Sequence, residues 1–310
     1  MDSIERVRRA RDRKSPDRTP MFFFNRDLHL SDFLHMGVVD ETAEWGFGWE
    51  RLDDTMGQVK DHPIKTWADF ETFLPPCADK PGRFDWVQSH MAQNSGKYNM
   101  LSLGLSGFTM MCCLRGLEDV MYDFYEEKEN ISHLADVVFG FEEEIIKLVP
   151  GKGFHAVSFA DDWGTQNGPM ISPELWNSFF APRYKRQFDL CHERGLDVYF
   201  HSCGSYWPLI DGLINAGVDF LNLSQPNLYD MKELGERFGD KVCFVCPVSY
   251  QTTSLSGTRE EIFADVKLMN EHLGSGGGLI GYIEDYPSIG MSEANYQSCI
   301  DAFRLKGVLS

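Results

Sequence analysis

The sequence predicts an α/β protein, a (β/α)8 TIM barrel in a single domain spanning residues 1–310, with an elaborated N-terminal half. Three observations carry this. From about residue 150 onward, short β-type runs alternate with longer helical stretches at regular spacing. Strands separated by helices imply parallel strands joined by crossovers. No Ser/Gly linker, low-complexity segment or internal repeat divides the chain.

Taken in order, "RVRRARDRK" reads as an amphipathic helix within an N-terminal segment, residues 1–19. Glu5 and Asp12 interrupt its basic character, and no apolar stretch or cleavage site follows it, so it is not read as a targeting arm. "PMFFFN" (20 to 25) and "YNMLSLG" (98 to 104) are apolar nearly throughout, as strands covered on both faces are. Residues 40–95 look insertion-like, and within them "GFGWERLDD" reads as an insertion or a hairpin. "HAVSFAD" (155 to 161), "DVYFHSC" (197 to 203), "DFLNLS" (219 to 224), "VCFVCP" (242 to 247) and "GLIGYI" (278 to 283) bring the strands to seven. An eighth would close a barrel, and it is expected to be irregular or to lie near residues 46 to 60; a doubly wound open sheet is the competing architecture. Between the strands, Ser172-Pro173-Glu174 supplies a helix N-cap, a proline at the first helical position and an acid in the first turn. Thr258 with Glu261 fits a capping box, and Gly274 suits the end of that helix.

Composition narrows the function. With 310 residues, 43% of them hydrophobic, the chain has ample material for a core. Its 47 acidic against 29 basic residues give a formal charge of −18, which opposes nucleic acid and anionic lipid. No apolar stretch approaches the roughly 20 residues a membrane span needs. Eight cysteines show no framework spacing, so reduced thiols and a cytoplasmic location are expected. Cys243 and Cys246 form C-x-x-C, but inside a strand-like run, whereas a redox pair normally sits at a helix start.

Both architectures put chemistry at the carboxyl ends of the strands. That rule selects Asn25 and Arg26, Ser106, Asp161 and Asp162, His201 and Cys203, Asn222 and Ser224, and Glu284 and Asp285. On a strand, His201 and Cys203 point the same way and Ser202 the opposite way, so two metal donors share one face. A catalytic zinc takes three protein ligands and keeps one position open, and Glu284 or Asp285 from the last strand is the expected third. The alternative is that His201 and Cys203 pack in the barrel interior, since cysteine is among the most buried residue types. Adjacent strand residues face opposite sides, so only one of Asp161 and Asp162 can enter the mouth. Arg26 suits a substrate carboxylate or a salt bridge to one of the acids. No P-loop, dinucleotide fingerprint or G-x-S-x-G elbow is present.

Several ordered segments resemble the uroporphyrinogen decarboxylase superfamily. They are "DDWGTQNGPMISPELWNSFFAPRYKRQFD", "HSCGSYWPLIDGLINAGVDFLNLSQPN", "ELGERFGDKVCFVCPV", "GTREEI" and "GGGLIGYIEDYPSIGMSEANY". The resemblance covers residues 150 to 305 and implies a (β/α)8 barrel. True decarboxylases carry an arginine-rich segment after the first strand that holds the substrate's carboxylates; here that place reads "FFFNRDLHL", with one arginine. The H-x-C-G at 201–204 is closer to the cobalamin-dependent methyltransferase branch, where both residues ligate zinc. In thiol-methylating members the third ligand is a cysteine, whose place falls on Asp285 with Glu284 one residue off.

The resemblance therefore implies a zinc-dependent methyltransferase, moving a methyl group between a small oxygen- or sulfur-containing substrate and a corrinoid, for example in O-demethylation. The corrinoid would ride on a partner protein, since no D-x-H-x-x-G cobalamin loop occurs here. Asp162 or Asp161 is expected as proton relay or as partner to His201, and Gln166, Asn222 and Gln225, with Asn25 and Arg26, as substrate-orienting residues. A homodimer is compatible with this reading. A metal-free decarboxylase-like enzyme and a catalytically silent binding barrel are the alternatives.

Overall fold

Apolar runs that strands bury on both faces need two cores, one inside the sheet and one outside, and this chain builds both. The structure, a computed structural model, describes residues 1–22, 28–31, 43–50, 57–283 and 290–304. Its main sheet is parallel and has seven strands: β1 (Leu28–Ser31), β4 (Tyr98–Leu105), β5 (Ala156–Ala160), β6 (Asp197–Ser202), β7 (Phe220–Leu223), β8 (Cys243–Pro247) and β9 (Leu279–Tyr282), hydrogen-bonded in that order. β2 (Gly48–Glu50) and β3 (Gln58–Asp61) form a separate antiparallel hairpin.

The sheet closes on itself through its first segment. Met21 makes a parallel bridge to Gly281 of β9, with Phe22 N donating to Gly281 O at 2.8 Å and Gly281 N to Pro20 O at 2.9 Å. A few residues later, Leu28 to Ser31 pair with Tyr98 to Leu101 of β4. The chain between residues 20 and 31 thus touches both edges, giving a TIM-barrel-like α/β domain. Two expectations change here. The run expected as a strand over 20–25 shows this contact at Met21 while its regular pairing falls at Leu28–Ser31; residues 23–27 lie outside the described residues. The segment near 46–60 does not supply the eighth barrel strand: β2 and β3 pair antiparallel with each other, as the hairpin reading expected, and strands that satisfy each other need no barrel edge.

Alternation along the strands sorts the side chains. Tyr98, Met100, Ala156, Tyr199, Phe220, Cys243, Val245 and Ile280 pack in one interior cluster, which Val7 and Ala10 of the helix Ser3–Arg11 join. The opening helix therefore plugs the amino-terminal end of the barrel. Arg11 Nη1 bonds Asp197 Oδ2 at 2.5 Å where β6 begins, and Tyr98 OH donates to the same carboxylate. The other faces pack against the surrounding helices in a second, larger cluster. The expected starts are present: Leu175 N donates to Ser172 Oγ at 3.2 Å, and Thr258 N donates to Glu261 Oε2 at 2.7 Å. Among the described residues, no helix is long and apolar enough to cross a membrane.

One helix start is unlike the others. Gly107–Arg115 follows β4 with Ser106 making no side-chain cap, and two buried carboxylates take its amide protons instead. Glu142 accepts from Gly107 N at 2.9 Å, and Asp161 accepts from Phe108 N at 2.8 Å and Thr109 N at 2.7 Å. Thr109 Oγ1 and Tyr184 OH also donate to Asp161, which is fully buried. Gly107 sits at φ +50°, and a Cβ there would lie 2.3 Å from Asp161 Oδ2, so the carboxylate's approach demands glycine. The helix dipole and these donors oppose the cost of burial without cancelling it. Burial pushes the Asp161 carboxyl up to about 7 and the Glu142 carboxyl up to about 8.

A carboxyl that binds its proton more tightly when folded favours the fold most at low pH, and loses that contribution as pH rises through its folded value. Stability against urea should therefore fall between about pH 5 and pH 8 from this pair. Gln187 Nε2 donates to Glu142 Oε2 at 2.6 Å; in Glu142→Gln the new amide still accepts from Gly107 N, and turning the Gln187 amide over brings its otherwise unpartnered Oε1 to accept from the new N–H. The variant should be at least as stable as the parent at pH 8, with a pH slope shallower by up to about 1.4 kcal/mol per pH unit. An unchanged slope in a urea titration series would refute the assignment.

Candidate metal centre

β6 carries Tyr199 into the barrel interior, so two residues on His201 also faces inward, and Cys203 follows just past the strand end. Ser202 points away and accepts from Trp163 N at 2.9 Å, as alternation requires. His201 meets Asn222 of the adjacent strand β7, in direct register. His201 Nδ1 lies 2.6 Å from Asn222 Oδ1, while Asn222 Nδ2 donates to Val245 O at 2.7 Å. With the amide nitrogen committed to a carbonyl, the amide oxygen must accept, so the neutral imidazole keeps its proton on Nδ1 and offers the Nε2 lone pair to a cation that displaces the second proton. Ser224 Oγ stands 3.3 Å from the same Nδ1.

That lone pair faces two further donors. Cys203 Sγ is 3.6 Å from His201 Nε2, and Asp162 Oδ1 is 3.7 Å from it. Among the described residues, Asp162, His201 and Cys203 are the one group of three or more metal-ligating side chains whose donor atoms all lie within 4.8 Å of one another. The two spacings from Nε2 suit zinc: ordinary Zn–N, Zn–S and Zn–O lengths at tetrahedral angles put neighbouring donors about 3.4–3.6 Å apart. His201 has 27% of its side chain exposed and Asp162 43%, so the trio opens to the mouth and leaves a coordination position accessible. Burial is the largest influence on the imidazole and disfavours its charged form. The Cys203 sulfur, the Asp162 carboxylate and the bond to Asn222 outweigh it and raise the His201 pKa to about 10. The pocket is thus built to attract positive charge.

Backbone contacts fix the trio. Cys203 N donates to Asp162 Oδ1 at 2.8 Å, Gly164 N to Cys203 O at 3.1 Å, and Ser205 N to Thr165 O at 2.7 Å. The Asp162 and Cys203 loops are therefore stitched together. Gly204 N donates to Gln225 Oε1 at 2.6 Å, and Tyr229 OH donates to Gly204 O at 2.9 Å while accepting from Tyr206 N at 3.0 Å. Tyr206 OH closes the circuit by donating to Asn222 O at 3.0 Å.

Several expected roles change. Asp161 is not in the mouth: it faces the helices and caps Gly107–Arg115, so only Asp162 of the pair reaches the donors. Asn222 and Gln225, expected to orient substrate, are buried, and they hold His201 and Gly204 respectively. Gln166 is exposed in the turn between Gly164 and Pro169, away from any described contact with the trio. Glu284, Asp285, Asn25 and Arg26 lie outside the described residues. Thr109, whose hydroxyl accepts from Asp162 N at 3.0 Å, and the tyrosines 206 and 229 carry no local sequence signal, since each acts across a loop.

Comparison with known proteins places this geometry in context. The chain is 15% identical in sequence to a methyltransferase from Methanosarcina mazei, with a TM-score of 0.73 and 98% of each chain covered, a likeness of fold. A B12-independent methionine synthase from Shewanella sp. W3-18-1 shares the fold at a TM-score of 0.57 and 12% identity, over 92% of this chain and 81% of that one. Uroporphyrinogen decarboxylase of Geobacter sulfurreducens is 23% identical over 181 residues, which are 56% of this chain and 52% of that protein. The chain thus spans about half the length of the curated relatives it matches. Residues 41–283 match the family model for uroporphyrinogen decarboxylase (URO-D), a stretch that holds β4 to β9 and all three donors, and the chain accordingly belongs to that family.

Proposed function

We propose that this protein is a zinc-dependent methyltransferase that moves a methyl group between the oxygen or sulfur of a small substrate and a corrinoid carried by a partner protein. The observation that supports it is the Asp162, His201 and Cys203 trio, a mixed O, N and S donor set at the carboxyl end of the barrel. The fold likeness to the Methanosarcina mazei methyltransferase agrees with this reading. A bound zinc would act as a Lewis acid, stabilising negative charge on the substrate's oxygen or sulfur as the bond to methyl breaks or forms. A thiolate and a carboxylate balance a divalent ion, and one thiolate leaves it more acidic than two.

The chain's own residues do the rest. Asn222 holds the imidazole in the tautomer that presents Nε2, and Val245 O in turn holds Asn222. The Cys203 amide proton on Asp162 Oδ1 aims that oxygen toward His201 Nε2, and its second lone pair stays available to the ion. Tyr199 and Val245 pack below the site in the interior cluster, which keeps water from reaching it through the barrel. The curated relatives that are decarboxylases supply the second reading, a metal-free decarboxylase.

Purified protein should hold about one zinc per chain by elemental analysis, and folded His201→Ala and Cys203→Ala variants should lose it. Metal-free protein that converts uroporphyrinogen would support the decarboxylase instead. Asp162→Asn should weaken zinc at least about tenfold in a chelator competition; full retention would move the third ligand to Glu284 or Asp285. Asn222→Ala should cost about 10- to 100-fold in zinc affinity, with Asn222→Asp recovering most of it because an acceptor for Nδ1–H is restored. Equal losses in both Asn222 variants would count against the tautomer role.

A further inference from the structure

A second cavity lies outside the barrel wall, behind the loop that carries Cys203. It measures about 260 Å³ and sits between the segments following β7 and β8 and the helix Arg259–His272. Its apolar walls are Pro226, Tyr229, Met231, Pro247, Leu268 and Met269, and Asn227 adds a side-chain amide. Into this lining comes one acid, Asp265, accompanied by the hydroxyls of Ser249 and Thr253. Asp265 is half-buried and accepts a hydrogen bond from Thr253, and the nearby acid Glu261 disfavours its charge. Among the described residues, no lysine or arginine forms an ion pair with it: nearby Arg259 pairs with Asp301 and Lys267 with Glu271. Burial, with Glu261 adding to it, raises the Asp265 carboxyl above its usual range.

We propose that this cavity binds a small organic cation, an alkylammonium whose charge meets Asp265 and whose chain lies against Met231, Met269 and Tyr229. A carboxylate in an apolar site is stabilised by a partner of opposite charge, and an aromatic face and thioethers suit an ammonium's alkyl groups. Inorganic cations are poorly served, since one carboxylate, one amide and two hydroxyls fall short of the roughly six oxygens a hard cation takes. The volume is near the lower end for small-molecule sites and admits a short chain. Leu268, 45% exposed, forms the rim through which such a ligand enters. The overall charge of −18 favours its approach. Tyr229 separates the cavity from the metal centre: its ring lines the pocket while its hydroxyl holds Gly204. The site is therefore distinct from the mouth, and its existence does not depend on methyl transfer.

The test is an NMR titration of protein with labelled methionine methyls, using n-pentylammonium chloride as probe and n-pentanol as its neutral counterpart. The cation should shift the Met231 and Met269 methyls saturably and bind at least about tenfold more tightly than the alcohol. Asp265→Asn should abolish that preference, while Glu271→Gln, which removes a surface charge from the outer face of the same helix, should leave it intact. Equal affinity for cation and alcohol in the parent protein, a preference that survives in Asp265→Asn, or shifts absent from both methyls would overturn the proposal.

Discussion

At the mouth of the barrel the backbones of Gly164 and Gly204 touch. A Cβ on Gly204 would fall 2.2 Å from the Gly164 carbonyl carbon, and one on Gly164 would fall 2.5 Å from that of Gly204. Gly204 also adopts φ +71°, a conformation that side chains disfavour. Only glycine at both places lets the loops after β5 and β6 lie against each other and exchange hydrogen bonds. That contact converts two donors separated by a strand crossover into one site. Asp162 leaves the first loop, Cys203 begins the second, and the Cys203 amide bonds the Asp162 carboxylate directly. Without it, the histidine and cysteine would remain a pair on one strand.

The two neighbouring aspartates show how the fold assigns chemistry. Asp161 turns outward into the layer between sheet and helices, where four donors surround it and water does not reach. Asp162 turns toward the opening, where its carboxylate is partly solvated and faces His201. One is a structural cap whose charge is costly, and the other is available to an ion. The same division runs along β7, where Asn222 faces inward to hold the imidazole while its neighbours Leu221 and Leu223 join the outer core. Preorganisation of this kind matters for a metal ligand, because an imidazole held from behind by an acceptor does not have to be ordered when the ion arrives.

Much of the fold was legible because it rests on local rules. The apolar runs at 98–104, 155–161, 197–203, 219–224, 242–247 and 278–283 all contain strands of the barrel, and the caps at Ser172 and Thr258 start helices where expected. The first strand was harder to read. Its chain switches partners between Met21 and Leu28, and no local pattern announces which edge a residue will join. The hairpin at 48–61 was ambiguous for a similar reason, since a short apolar and aromatic run suits either a barrel strand or a free-standing ribbon.

For the site, the sequence by itself determined that His201 and Cys203 share a face, since side-chain alternation along a strand is a property of the backbone alone. It also determined that only one of Asp161 and Asp162 enters the mouth. Which one, and what stands beside it, the tertiary structure decided: Asp162 reaches the histidine only because two loops distant in the chain are pressed together at paired glycines. The roles of Asn222 and Gln225 were decided the same way, because a side-chain amide at a strand end serves equally as substrate contact or as support until the neighbouring strand shows what it faces.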